Sequence, residues 1–313
     1  MNLEVLIDEF LEYCEIERGH SELTIRNYEH YLGRFLEYIK KEKRKDTPKP
    51  ADITLELVRK YRIYLNRLDS GKGDSIKKIT QNYHIIALRA FLKYLARRDI
   101  QAISAEKLEL ADASRKSFTF LELKEIDNLL SAPDKYPDKN PLIHLRDKAI
   151  LETLFSTGLR VSELVGLDRD QINLKRGEFM VRGKGDKERI VFLSESASLA
   201  IADYLKARRD DYAPVFVHVG GTKDEYEDGE YQRLTARSVQ RLIKKYARLV
   251  GITKDVTPHV IRHSFATDLL INGADIRSVQ SMLGHSSITT TQIYTHVTNK
   301  QLREVHKAFH GKS

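Results

Sequence analysis

The stretch QAISAEKLELADASRK, residues 101–116, interrupts helical periodicity and replaces apolar repeats with small and charged residues, the composition of a domain linker. A chain of 313 residues suits two domains, each large enough to bury its own core. Upstream, four helical patterns fill residues 1–100. The second is the clearest, with Ile25, Tyr28, Leu32, Phe35, Leu36 and Ile39 at helix spacing behind Thr24. The third runs from Thr54 through Val58, Tyr61, Leu65 and Leu68; the fourth follows SGKGD with Ile79, Tyr83, Ile86 and Ala90 on one stripe. Short loops between them predict a compact all-helical bundle. Lys40, Lys41, Lys43, Arg44 and Lys45 crowd the end of the second helix, either to grip phosphates or, as we favour, to suit the helix dipole and solvent.

Downstream, the pattern predicts a mainly helical unit, residues 117–313, with a small antiparallel sheet. Thr119 with Glu122 reads as a capping box, and a helix around 142–156 ends near Gly158. GEFMVRGKGDKERIVFL alternates apolar and polar residues on either side of Gly-Lys-Gly-Asp, a β-hairpin pattern. Thr235 opens a further helix, Thr257-Pro258 opens another, and Gly273 and Gly284 stand at helix ends. Residues 220–232, GGTKDEYEDGEYQ, read as an acidic loop.

Composition narrows the partners. No apolar run approaches the ~20 residues of a bilayer span, and the N-terminus mixes acids through its apolar positions, unlike a signal peptide. A single cysteine, Cys14, has no partner for an internal disulfide and reads as a core side chain in a reducing compartment. These features predict a cytoplasmic protein with no membrane partner. The net charge of +8 fits a polyanion, and it is evenly spread: residues 1–116 carry 23 basic against 19 acidic groups, the remainder 30 against 26.

Two arginines sit in suggestive settings. Arg160 follows Gly158 in STGLRVSEL, at a turn entering a helix, and Arg262 lies three residues after His259 in TPHVIRHSFAT, on the same helix face. A phosphodiester exchange builds negative charge on phosphorus oxygens, and planar guanidinium forks stabilise that charge well. Either arginine alone is more often an ion-pair or surface residue. His259 and His263 at i, i+4 suggest zinc, but Val260 stands where the zinc-protease pattern needs Glu.

Taken together, TGLRVSELVGL, GKGDKERIVFL, HVIRHSFATDLLINGADIRSVQSMLGHSSITTTQIYTHV and the amino-terminal SELTIRNYEHYLGRFLEYI resemble, in order and over nearly the whole chain, the tyrosine recombinases, in particular the Xer type. The resemblance implies a core-binding domain at 1–100, a linker at 101–116 and a catalytic α+β domain at 117–313, together forming a C-shaped clamp on duplex DNA. It places the catalytic pattern on Arg160, Lys184, His259, Arg262, His285 and Tyr294. Tyr294 would be the nucleophile, its phenol, of ordinary pKa about 10, needing help to attack at neutral pH. The arginines would clamp non-bridging oxygens, His285 would hydrogen-bond the phosphate and His259 would act as base. Lys184 would protonate the leaving 5′ oxygen, with Lys187 the weaker candidate; GKGDK otherwise reads as a soluble hairpin turn. Glu163 reads either as a carboxylate orienting Arg160 or as an exposed helix acid.

A covalent phosphotyrosine conserves the phosphodiester energy, so no nucleotide loop is needed, and the arginines stand in for divalent ions; no metal or other cofactor is expected. Leu302, Val305 and Phe309 behind Thr298 form an amphipathic tail, about 298–309. The tail folds back on its own domain or, as in the resembling family, docks into a neighbouring protomer of a tetramer assembled on two sites. The resemblance implies resolution of chromosome or plasmid dimers, with mobile-element or phage integration as the alternative, and leaves room for a second recombinase or a translocase as partner. From other classes, a catalytically silent DNA-binding protein and a type IB topoisomerase-like relaxing enzyme remain alternatives.

Overall fold

The computed structural model describes residues 2–68, 75–112, 119–183, 188–220 and 229–284. Lys184, Lys187, His285, Tyr294 and the tail at 298–309 therefore lie outside the described residues. The chain divides into two compact units, Met1–Lys116 and Ser117–Ser313.

The first unit is a bundle of α1 (Leu3–Ile16), α2 (Glu22–Lys43), α3 (Leu55–Arg67) and α4 (Lys78–Arg97). Two helix starts carry side-chain caps: Asn2 accepts from the Glu4 amide, and the Thr54 hydroxyl accepts from the Leu57 amide at 3.2 Å. Leu6, Phe10, Cys14, Phe35, Ile39, Tyr61, Leu65, Leu88 and Phe91 make the core. Two of the cations at the end of α2 are taken up locally, Lys40 by Glu4 at 2.8 Å and Lys45 by Asp52 at 2.7 Å.

One reading of this unit needs correction. On α4 the stripe Ile79, Tyr83, Ile86 faces solvent, and the helix buries Ile85, Leu88, Phe91, Leu92 and Leu95 instead. Both stripes have helical spacing, but the second carries more apolar area, and the larger buried area wins. Within residues 101–116, Ala105, which opens a short 3-10 turn at Ala105–Lys107, and Leu108, which follows it, are buried in the first core. An extended strap loses helical periodicity while still anchoring apolar side chains.

The second unit is built from α5 (Leu123–Leu130), α6 (Ala132–Lys135), α7 (Pro141–Thr157), α8 (Val161–Val165), β1 (Ile172–Asn173), β2 (Glu178–Arg182), β3 (Glu188–Phe192), α9 (Glu195–Ala207), α10 (Ala236–Leu249), α11 (Pro258–Ile271) and α12 (Ile276–Leu283). The first helix opens one step later than Thr119 suggested: Glu122 precedes α5, and its amide donates to the Glu125 carboxylate at 2.8 Å. The hairpin is present, and β1 extends it to an antiparallel sheet of order β1-β2-β3, with Phe179 opposite Val191 and Arg182 opposite Glu188. Phe179, Val181 and Val191 face the core; Met180, Ile190 and Phe192 face out. α7 runs through the centre, its Ala149, Ile150, Leu151 and Leu154 buried, and α11 packs against it.

Among the described residues no helix is long and apolar enough to cross a membrane.

Candidate active site

The site is built around the turn that ends α7. Gly158 closes the helix with φ +59°, and a Cβ there would lie 2.5 Å from the Phe265 ring of α11, so both backbone and packing demand glycine. Leu159 then leads into Arg160, the extended residue ahead of α8. Its amide donates to Glu163 Oε2 at 2.8 Å, and its Nη1 donates to Glu163 Oε1 at 2.7 Å. Glu163 is thus an orienting carboxylate, its side chain only 6% exposed. Burial alone would raise its pKa. Hydrogen bonds from the Arg189 side chain and the Arg160 amide, then the Arg189 charge, outweigh that and hold the carboxyl at about 2.

α11 supplies the opposite wall. Thr257 accepts from the Val260 amide and Pro258 occupies the first turn, so the helix starts just ahead of His259. Arg262, one turn on, is 4% exposed and reaches across to the glycine turn: Nη1 donates to the Gly158 carbonyl at 2.5 Å, and Nη2 donates to the Leu283 carbonyl. His259 is held below the ordinary imidazole pKa, first by burial and then by the Arg262 and Arg160 charges. The three groups therefore share one electrostatic neighbourhood, and the imidazole is neutral and able to take a proton at neutral pH. His263, one turn below, is pushed down to about 4 by burial, His259 and Arg262.

Sequence reasoning missed Arg189. It stands on β3 with the inward parity of Val191, and an arginine at a core-facing strand position is the signal that could have found it. Its fork holds Glu163 bidentately, Nη1 to Oε1 at 3.0 Å and Nη2 to Oε2 at 2.7 Å, while Nε donates to the Met282 carbonyl at 3.0 Å. Arg160 Nη2 donates to the Gly284 carbonyl at 3.3 Å. Three guanidinium groups thus converge on the last carbonyls of α12, the helix whose end precedes His285 in sequence. The structure brings together Arg160, His259 and Arg262 of the six residues singled out above; Lys184, His285 and Tyr294 fall outside the described residues. Two fixed cations beside a neutral imidazole can hold an anionic tetrahedral centre and accept a proton from its attacker.

Comparison with known proteins places the chain in a family. Residues 119–301 match the phage integrase family and residues 7–99 match the phage integrase N-terminal SAM-like domain. The chain is 38% identical to the tyrosine recombinase XerD of Listeria innocua, over 98% of this chain and 99% of that protein. It is 35% identical to the tyrosine recombinase XerC of Thermodesulfovibrio yellowstonii, over 100% and 98%. Among solved structures, the XerA recombinase aligns over 99% of both chains with a TM-score of 0.51 and 31% identity. The XerH recombinase on its palindromic difH substrate aligns over 96% of this chain and 83% of that one, with a TM-score of 0.69 at 22% identity, a likeness of fold.

Proposed function

Because the chain belongs to the phage integrase family of site-specific tyrosine recombinases, with Xer-like relatives along its whole length, we propose that it cleaves and rejoins a specific duplex DNA site through a 3′-phosphotyrosyl intermediate on Tyr294. The Tyr294 oxygen attacks phosphorus, the bond to the 5′ oxygen breaks, and the tyrosine becomes esterified to the 3′ phosphate. His259 takes the phenol proton, Lys184 gives one to the departing 5′ oxygen, and His285 hydrogen-bonds the phosphate. Arg160 and Arg262 clamp the non-bridging oxygens. Attack by a 5′ hydroxyl from a second duplex reverses the sequence and exchanges strands.

The observation that carries this reading is the placing of Arg160 and Arg262 about one glycine turn, with Glu163 orienting the first arginine and both charges, after burial, lowering the pKa of His259. Residues 1–100 serve as the core-binding domain and 117–313 as the catalytic domain, joined through 101–116. Two protomers occupy each site and four form the synapse, coupled by the tail at about 298–309 docking on a neighbour. The biological task is resolution of chromosome or plasmid dimers in the cytoplasm, alongside a second recombinase or a translocase; Xer-named relatives at 35–38% identity favour it over integration of a mobile element.

A nicked suicide duplex carrying the protein's preferred site, recovered by selection from genomic DNA, tests the reading. Wild type should form a covalent adduct that Tyr294→Phe abolishes without loss of site binding. Absence of adduct on a site that is bound makes the protein a silent binder. Relaxation of plasmid without exchange between two sites makes it a topoisomerase-like enzyme.

A further inference from the structure

The carboxylate of Glu163 is shared by two arginines from different elements. Arg160, ahead of α8, takes Oε1 with its side chain and Oε2 with its amide, while Arg189 on β3 grips both oxygens with a parallel fork. Arg189 is the more enclosed of the two, its side chain 9% exposed against 29% for Arg160. It also touches α12 through the Met282 carbonyl, and a Cβ on Gly284 would lie 3.1 Å from its Cδ. Gly284 has φ +61°, so the end of α12 is turned tightly against this one side chain. Arg189 thus joins three segments: the strand that follows residues 184–187, the turn that carries Arg160, and the helix end that precedes His285.

We propose that Arg189 is a positioning residue for the DNA-cleaving site: it fixes Glu163, and through Glu163 the Arg160 guanidinium, in register with the end of α12. The proposal rests on the recombinase reading above. It follows from the geometry of donors. A lone carboxylate beside Arg160 would be free to rotate about its terminal torsion and to follow the arginine toward a phosphate. With both oxygens already occupied by the Arg189 fork, only one orientation is left, and Arg160 is presented to the phosphate from a fixed anchor. Arg189 itself makes no contact with DNA in this account; its contribution passes through Glu163 and the Met282 carbonyl.

An ordinary structural ion pair would predict loss of fold stability and nothing more, so the test needs readouts that stability does not move. Full-length Arg189→Gln and Arg189→Lys are compared with wild type by single-turnover adduct formation on the nicked duplex at saturating protein, by binding to the intact site, and by carbon-detected NMR titration of the Glu163 carboxyl. In Arg189→Gln the adduct rate should fall at least tenfold while site affinity stays within threefold. The Glu163 midpoint should rise from about 2 toward the ordinary carboxylate range, because burial is no longer outweighed by two arginines. The cleavage rate of the variant should then acquire an acid limb that tracks this midpoint. Arg262 and Arg160 face His259 and give its own titration to both proteins alike, so only the limb particular to the variant counts. Arg189→Lys, which keeps the charge but not the fork, should fall between the two, and it carries the test if the glutamine variant does not fold. Adduct rates within threefold of wild type, or a Glu163 midpoint that does not move, overturn the proposal. Failure of wild type itself to form an adduct overturns the recombinase reading, and this inference with it.

Discussion

Replacing Gly158 by alanine probes the turn on which the site is built, and its cost divides into two parts that can be measured separately. The residue has φ +59°, where an L side chain costs about 1–2 kcal/mol. The new Cβ would also meet the Phe265 ring at 2.5 and 2.9 Å and Leu283 at 3.1 Å. Overpacking of that kind costs a further ~1–3 kcal/mol. Together they predict roughly 2–5 kcal/mol of destabilisation, which lowers the melting temperature by about 2–4 °C per kcal/mol for a unit of this size. Because the two compact units can unfold in separate steps, the assay is calorimetry of the full chain with the transition that shifts assigned to the second unit. Repeating the substitution in a Phe265→Ala background removes the two closest contacts and leaves the backbone term with the milder Leu283 contact, so the cost should drop toward about 1–2 kcal/mol. An equal cost in both backgrounds refutes the steric half of the reasoning, and a cost below ~1 kcal/mol in wild type refutes both halves.

Two further outcomes follow from the same geometry. Arg262→Gln removes the cation proposed to face the transition state and the guanidinium that donates to the Gly158 and Leu283 carbonyls; adduct formation should fall by about 10²–10³-fold, and Arg262→Lys should not restore it, because one ammonium cannot span both carbonyls and a phosphate. In the first unit, His84 is buried between Tyr61 (Nδ1 to Oη, 3.1 Å) and Arg34 (Nε2 to Nη1, 3.3 Å), and burial and then Arg34 push its pKa down to about 4. A depressed histidine is neutral when folded while the unfolded chain takes up a proton below about 6.5, so stability falls on acidification from pH 6.5 to about 4, by roughly 3 kcal/mol at 1.36 kcal/mol per unit. The urea midpoint of wild type should drop between pH 7 and 4.5 by more than that of His84→Gln; equal drops would disprove the assignment.

The parts of this molecule legible in sequence are those where local chemistry and global packing agree. Gly158, Thr257-Pro258 and the alternation around GKGD each specify a local backbone state, and the turn, the helix start and the hairpin all occur. α4 was misread because periodicity reports a stripe and not which side has a partner: Ile79, Tyr83 and Ile86 satisfy the pattern as well as Ile85, Leu88, Leu92 and Leu95 do. Thr119 with Glu122 matched the capping-box spacing, yet Glu122 with Glu125 closes the same loop one turn later. At the site, Arg160, His259 and Arg262 stand in segments that resemble a known series, whereas Arg189 lies in a hairpin whose pattern is set by its apolar residues. Its partners lie 26 and 93 residues away, and no local pattern encodes a contact at that separation.

The arrangement of anchors explains how a pocket can order three guanidinium groups without neutralising them. A carboxylate for each of Arg160, Arg189 and Arg262 would fix them equally well and leave no charge for a phosphate. Instead, one carboxylate, Glu163, serves two of them, and further hydrogen bonds run to the neutral carbonyls of Gly158, Met282, Leu283 and Gly284. Two positive groups against one shared negative leave a net charge of +1 on the set of Arg160, Glu163 and Arg189. The carbonyls at the end of α12 carry the negative pole of the helix, so they hold the arginines electrostatically while contributing only partial charge. A phosphodiester with one negative charge, rising toward two as phosphorus becomes pentacoordinate, meets an opposing charge already fixed in place and needing no reorganisation. Rigidity and unspent charge usually compete in a buried site; carbonyl anchors let this one keep both.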